Sequence, residues 1–251
     1  IRQRNLELGV FPAAEALAPS LRVFFASRSG GVSDAPFDSL DLGLGTGDRP
    51  SRVRENRRRL IAALDLPARQ LARAEQVHGA RVAPARGGRI ARGADGLFTG
   101  RPRLPLAVST ADCFPVILFA PAERALAALH AGRTGAAGGI LDAGAGEIAR
   151  RFGANLADTI ALIGPGICER CYPVWEKTAR EFPGAVRRRG GRPHLDLAGF
   201  IAGRLVSLGI RPRHILRSGL CTSCDPAMFF SHRRDGARTG RHWTIAWFEE
   251  P

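Results

Sequence analysis

The chain has 251 residues, of which 45% are hydrophobic and 24% charged, enough apolar material for a sizeable core in one large domain. No apolar run approaches the roughly 20 residues that span a bilayer, which sets a helical membrane protein aside. The net charge of +14 invites a nucleic-acid reading, but Lys177 is the single lysine among 37 cations and aromatics are 7%; arginine enrichment of this kind marks a GC-rich coding background, and the chain lacks the interleaved aromatic platform on which single strands stack.

In chain order, residues 21–26 read as a strand ending in the glycine turn 27–33. Residues 51–64 carry Val53, Leu60, Ile61 and Leu64 near one helical face, with Pro67 beyond the end. Short apolar segments at 106–109 and 116–119 flank Asp112-Cys113, and 125–129 is a strand delivering His130. A helix is expected over 135–152 despite its glycines, a strand over 159–163 running into a Gly-Pro-Gly turn, and a helix over 174–182. The stretch 184–193 reads as a loop. Asp196 caps a helix over 196–208 that stops before Gly209, and strands follow at 214–217 and 243–248. Helices interleave with strands, so the class is α/β, one domain over 1–251. With no signal-type apolar region in the residues present, a soluble cytoplasmic protein is expected. Nothing in the pattern fixes the oligomeric state.

The chemistry concentrates at Cys113, in Ser109-Thr110-Ala111-Asp112-Cys113-Phe114-Pro115-Val116. His78 lies upstream in Gln76-Val77-His78-Gly79 and His130 downstream in His130-Ala131-Gly132. Two imidazoles and one thiolate form a common catalytic zinc set, which leaves a fourth position open. Each alone has a plainer reading: a histidine satisfied by backbone, or a small buried thiol. The combination points to a metal centre.

Further dense stretches occur at Ser27-Arg28-Ser29-Gly30-Gly31-Val32-Ser33, Ser39-Leu40-Asp41-Leu42-Gly43, Ala94-Asp95-Gly96 and Ile163-Gly164-Pro165-Gly166-Ile167 with Tyr172-Pro173-Val174. Others are Cys221-Thr222 and Phe229-Phe230-Ser231-His232-Arg233-Arg234-Asp235-Gly236. In this order they resemble the YfiH family, long labelled laccase-like polyphenol oxidoreductases and now treated as purine nucleoside phosphorylases. The resemblance implies a single layered α/β/β/α-type domain related to cysteine-hydrolase-like toxin folds. It also implies zinc at His78, Cys113 and His130, with copper as a possible substitute. The implied activities are phosphorolysis of adenosine, inosine, guanosine and methylthioadenosine, and deamination of adenosine. The partners are therefore a purine nucleoside and phosphate, with no specific nucleic acid and no membrane. Phosphorolysis needs its anion anchored, and Arg28 with Arg233 or Arg234 are the guanidinium partners expected. Asp112 is the expected general acid or base, beside the thiolate Cys113. Gly31, Asp41, Gln76, Arg133 and Tyr172 complete the expected substrate-binding set, glycine by close backbone approach.

The chain departs from the family pattern in three places. Arg133-Thr134 stands where Trp-Arg is usual after His-Ala-Gly. Asp41 replaces the usual asparagine, an exchange that could repel an anionic substrate, and His232 replaces a tyrosine common before the paired arginines. If the usual arginine grips phosphate, Arg133 must serve from one position away.

Cys168-x-x-Cys171 and Cys221-x-x-Cys224 have the spacing of a four-cysteine zinc site. The segment between the pairs holds a whole helix and strand, far more than a compact ribbon needs, so the expectation is a single metal. Three alternatives stay open: an amidase editing mis-made peptidoglycan precursors, a basic nucleic-acid-binding protein with a four-cysteine zinc module, and copper-dependent phenol oxidation. The last is poorly served by one cysteine and two histidines, because a multicopper oxidase needs several copper centres.

Overall fold

The computed structural model describes residues 1–3, 6–67 and 69–250. Among these, two large sheets lie face to face. The seven-stranded sheet runs in the order Arg2–Gln3, Leu6–Gly9, Leu21–Ala26, His242–Phe248, Leu106–Thr110, Ala72–Ala74, Ile90–Ala91. The six-stranded sheet runs Ile215–Arg217, Ile160–Ile163, Phe114–Ala120, Ala125–Ala131, Gly96–Thr99, Val82–Pro84.

The two-residue period of a strand sends alternate side chains to opposite faces, and here both faces are apolar. On Phe114–Ala120, Ile117 and Phe119 meet Val23, Phe25, Val108 and Phe248 from the other sheet, forming the core between the sheets. Val116, Leu118 and Ala120 face the opposite way, onto Ile140, Leu141, Ile148, Ile201 and Leu205 of the helices Ile140–Phe152 and Leu197–Ser207. On the outside of the seven-stranded sheet, Ile245, Trp243 and Trp247 pack with Leu60 and Leu64, at the end of the helix Pro50–Ala63. The result is helix, sheet, sheet, helix. Strands buried on both sides read as continuous apolar runs, which is why 114–120 and 125–131 show no alternation in the sequence.

Several expectations are corrected. The helix expected over 135–152 is two, Arg133–Ala137 and Ile140–Phe152, broken at Gly138 and Gly139; Gly139 has φ of 89°, outside the helical range. The helix expected over 174–182 shortens to Glu176–Arg180. The stretch 184–193 is no loop: Val186–Arg189 and Arg192–Leu195 pair as an antiparallel hairpin around Gly190-Gly191, both at positive φ. Its exposed arginines hid the strand period. The expected helix over 51–64 and the strands at 21–26, 106–109, 116–119 and 243–248 are present within a residue or two of their expected ends.

Among the described residues, no helix is long and apolar enough to cross a membrane.

Candidate metal centre and its cleft

The centre forms where the chain passes between sheets. Leu106–Thr110 belongs to one sheet and Phe114–Ala120 to the other, and Cys113 occupies the crossing between them. His130 comes from Ala125–Ala131, beside Phe114–Ala120 in register with Pro115. His78 arrives on the loop after Ala72–Ala74. One ligating atom from each of His78, Cys113 and His130 lies within 4.8 Å of the others, and the two rings meet edge to face at 4.8 Å.

Asp95 organises both histidines. Its Oδ1 lies 2.9 Å from His130 Nδ1 and accepts the His78 backbone N–H at 2.8 Å; its Oδ2 accepts those of Gly79 at 2.7 Å and Val77 at 3.1 Å. Burial opposes the charge on Asp95, but the bonds from His130, Gly79 and His78 outweigh it and lower its pKa. An ionised carboxylate only accepts, so His130 Nδ1 carries the proton and Nε2 is left free for a metal. Burial likewise opposes ionisation of the Cys113 thiol, yet the His130 and His78 rings pull it down to about 6. Burial disfavours the His130 cation, and Asp95 and Cys113 override it, raising the imidazole to about 9. A divalent cation would replace the protons that this cluster otherwise shares. Gly132 keeps the approach clear: a Cβ there would meet Cys113 Sγ at 2.8 Å and His78 Nδ1 at 3.2 Å.

Backbone geometry is unusual around the centre. Gln76, His78 and Asp112 have φ of 63°, 61° and 93°, a region that non-glycine residues enter at a cost of about 1–3 kcal/mol. Gln76 is held by a two-point bond to Ser109, Nε2 donating to the carbonyl at 2.6 Å and Oε1 accepting the N–H at 2.8 Å. Asp112 Oδ1 accepts from Thr222 Oγ1 at 2.7 Å, Oδ2 from the Arg233 N–H at 2.6 Å, and its carbonyl from Ile167 at 2.9 Å.

A cleft of about 1210 Å³ opens over the centre. Of the residues singled out in the sequence, Gln76, His78, Asp112, Cys113, His130, Tyr172, His232 and Arg233 line it. Arg233 stacks over the Tyr172 ring at 4.7 Å and donates to the Pro173 carbonyl at 2.7 Å.

The others lie elsewhere. Arg28 donates to the Asp38 carbonyl and carboxylate and to the Pro226 carbonyl, and lies over Phe230. Arg234 donates to the carbonyls of Thr222, Ser223 and Phe229 and to Asp235. Arg133 pairs with Glu181. Gly31 lets its backbone pass against Ser39 and Leu40, where a side chain would collide. Asp41 is fully buried, accepting from Thr46 Oγ1 and from the N–H groups of Gly43 and Arg241. It shapes the Gly43–Thr46 edge of the cleft from behind.

The cleft also holds cations that the sequence did not mark: Arg57, Arg73, Arg89, Arg92 and Arg241. Arg57 and Arg73 lie over the Trp243 ring at 4.6 and 5.4 Å. Burial lowers the pKa of Arg241, with Asp41, Cys113 and Asp112 acting against it. An arginine in an arginine-rich chain carries little signal by itself. Asp95 was visible as Ala94-Asp95-Gly96, but its partners were not.

Two apolar sheets face to face, joined at a seam by a Cys-His-His set beneath a cationic cleft, define an α/β protein with a candidate metal centre. The chain belongs to the family whose model is described as multi-copper polyphenol oxidoreductase laccase, which matches residues 22–249. It is 40% identical over 235 residues to the purine nucleoside phosphorylase of Deinococcus radiodurans, covering 91% of this chain and 90% of that protein. Identity is also 40% over 236 residues to purine nucleoside phosphorylase Rv2149c of Mycobacterium tuberculosis, covering 91% and 92%. Among solved structures, YlmD from Geobacillus stearothermophilus superposes with a TM-score of 0.91 at 32% identity, over 98% of this chain and 97% of that one. YfiH of Bacillus licheniformis gives 0.88 at 32%, over 92% and 94%.

Proposed function

We propose that the chain is a zinc-dependent purine nucleoside phosphorylase, acting on adenosine, inosine, guanosine and methylthioadenosine, and that the same cleft deaminates adenosine. The observation that carries this reading is the convergence of His78, Cys113 and His130 within 4.8 Å at the foot of an arginine-lined cleft, in a chain 40% identical to proteins named for that activity. His78, Cys113 and His130 would hold the ion, and a three-ligand N,N,S set with an open position suits zinc. When bound, zinc supplies Lewis acidity and lowers the pKa of water towards about 7.

The chain's own residues supply the rest. Arg233 and Arg241, both lining the cleft, anchor phosphate in place of Arg28 and Arg234, which do not line it. Asp112 is a positioning residue: its carboxylate accepts the Arg233 N–H and so presents that arginine to the cleft. Leu44 and Ile90, exposed apolar side chains on the cleft wall, offer a surface for a planar base. Arg133 is paired with Glu181, so in this reading phosphate is held by Arg233 and Arg241 and not from the Arg133-Thr134 positions.

The test is product analysis with zinc-loaded protein and adenosine, with and without phosphate. Adenine and ribose 1-phosphate that appear only with phosphate support phosphorolysis, and inosine formed with or without it supports deamination. His78→Ala abolishes both. Phosphorolysis surviving in metal-depleted His78→Ala protein overturns the shared site, and no turnover at all overturns the reading.

A further inference from the structure

The two Cys-x-x-Cys pairs stand far apart in the sequence and meet in the fold. Strands Ile160–Ile163 and Ile215–Arg217 are parallel neighbours, with Ile163 opposite Arg217. Parallel neighbours run the same way, so the loops that follow them leave the sheet at the same end. Cys168 follows Ile163 by five residues and Cys221 follows Arg217 by four, so both loops arrive together. Pairing continues beyond the strands: Gly166 bridges Cys221, and the Thr222 N–H donates to the Gly166 carbonyl at 3.1 Å. The intervening helices Glu176–Arg180 and Leu197–Ser207 and the hairpin between them are the crossover that returns the chain to that end of the sheet.

One sulfur from each of Cys168, Cys171, Cys221 and Cys224 lies within 4.8 Å of the others. Cys168 Sγ and Cys171 Sγ stand 3.8 and 3.3 Å from Cys224 Sγ. Four sulfurs at the Zn–S length of about 2.3 Å in a tetrahedron are separated by about 3.8 Å. The Cys168 N–H donates to Cys221 Sγ at 3.2 Å, a bond that suits a thiolate fixed as a ligand. All four cysteines are free thiols.

We propose that Cys168, Cys171, Cys221 and Cys224 bind a second zinc ion, structural in role, that ties the two loops together behind the cleft. The clamp is one residue from Tyr172, which lines the cleft, and it encloses Thr222, whose hydroxyl holds Asp112. It therefore fixes one wall of the active cleft without touching substrate, and it stands whether or not the reaction assigned above is correct.

The experiment is metal analysis of full-length protein purified without chelator, alongside Cys168→Ser/Cys224→Ser and His78→Ala/His130→Ala double variants. Two zinc ions per chain are expected in the wild type and one in each double variant. Cobalt substitution supplies a second readout, because thiolate-to-cobalt charge transfer scales with the number of Co–S bonds. Five such bonds in the wild type fall to one in Cys168→Ser/Cys224→Ser, a loss of about four-fifths of the absorption. The wild-type cobalt spectrum is decisive even if a variant does not fold, because the four-cysteine site contributes four Co–S bonds and the other centre one. A wild-type spectrum with the intensity of a single Co–S bond per chain, iron at the four thiolates, or a Cys171–Cys224 disulfide in freshly purified protein would each overturn the proposal.

Discussion

Asp95 Oδ1 lies 2.9 Å from His130 Nδ1, and the same oxygen takes the backbone N–H of His78 at 2.8 Å. One carboxylate therefore sets the tautomer of one expected ligand and the position of the other. Outer partners of this kind are worth about 10–100-fold in metal affinity. Asp95→Asn is expected to weaken zinc by that factor in a chelator competition, because the amide can no longer accept from His130 and from the loop on equal terms. Affinity within twofold of the wild type would remove Asp95 from this role.

Metal removal exposes the thiol. Cys113 is held at a pKa of about 6 by its two histidines in the absence of a cation, so the metal-free protein carries a thiolate there at pH 7.5. Iodoacetamide followed by peptide mapping is expected to label Cys113 rapidly in chelator-treated protein and slowly after zinc is restored. The Tm should rise with zinc, by an amount equivalent to about 2.7 kcal/mol at a hundredfold excess over Kd. Equal labelling with and without zinc would place the ion elsewhere.

The arginines divide by whether they line the cleft. Arg241→Met is expected to raise the KM for phosphate at least about tenfold, in the range of a lost charge-assisted bond of about 1.5–3 kcal/mol, with little change in KM for nucleoside. Arg28→Met removes bonds to Asp38 and Pro226 and is expected to lower Tm instead. Steady-state kinetics with phosphate varied, beside thermal melts, checks both. A phosphate defect in the Arg28 variant alone would reverse the assignment.

Asp41 makes a prediction about pH. Burial raises its pKa above the usual carboxylate value, although bonds from Thr46, Gly43 and Arg241 oppose the rise. A carboxyl with a higher pKa folded than unfolded holds more protons in the native state. Stability is therefore lost as pH climbs from the unfolded pKa through the folded one. In Asp41→Asn, Oδ1 still accepts from Gly43 and Arg241, and Nδ2 can donate to Thr46 Oγ1, whose proton goes to the Gly43 carbonyl at 3.0 Å. The variant is expected to melt a few degrees higher than wild type at pH 8 and to lose that advantage near pH 4. A variant less stable at pH 8 would mean that the buried charge is needed by Arg241 or Arg57.

The sequence by itself determined the α/β class and most of the strands, and it marked His78, Cys113 and His130 as a candidate ligand set, because these are residue types and patterns readable in local motifs. Apolar runs long enough for strands, an N-capping Asp196 and ligand types in dense motifs are legible without neighbours. Tertiary structure alone decided which polar residues face the cleft. Arg28, Arg234 and Arg241 are the same residue type in equally glycine-rich or polar motifs, yet Arg28 and Arg234 hold backbone carbonyls away from the cleft while Arg241, which also bonds nearby carbonyls, lines it. Which surface a guanidinium meets depends on strand register and loop path, and neither is encoded within a few residues. The four cysteines make the same point most plainly. Their separation argued against a common site, and the parallel pairing of 160–163 with 215–217 removes that separation, because distance along a chain constrains distance in space only until a crossover brings the chain back.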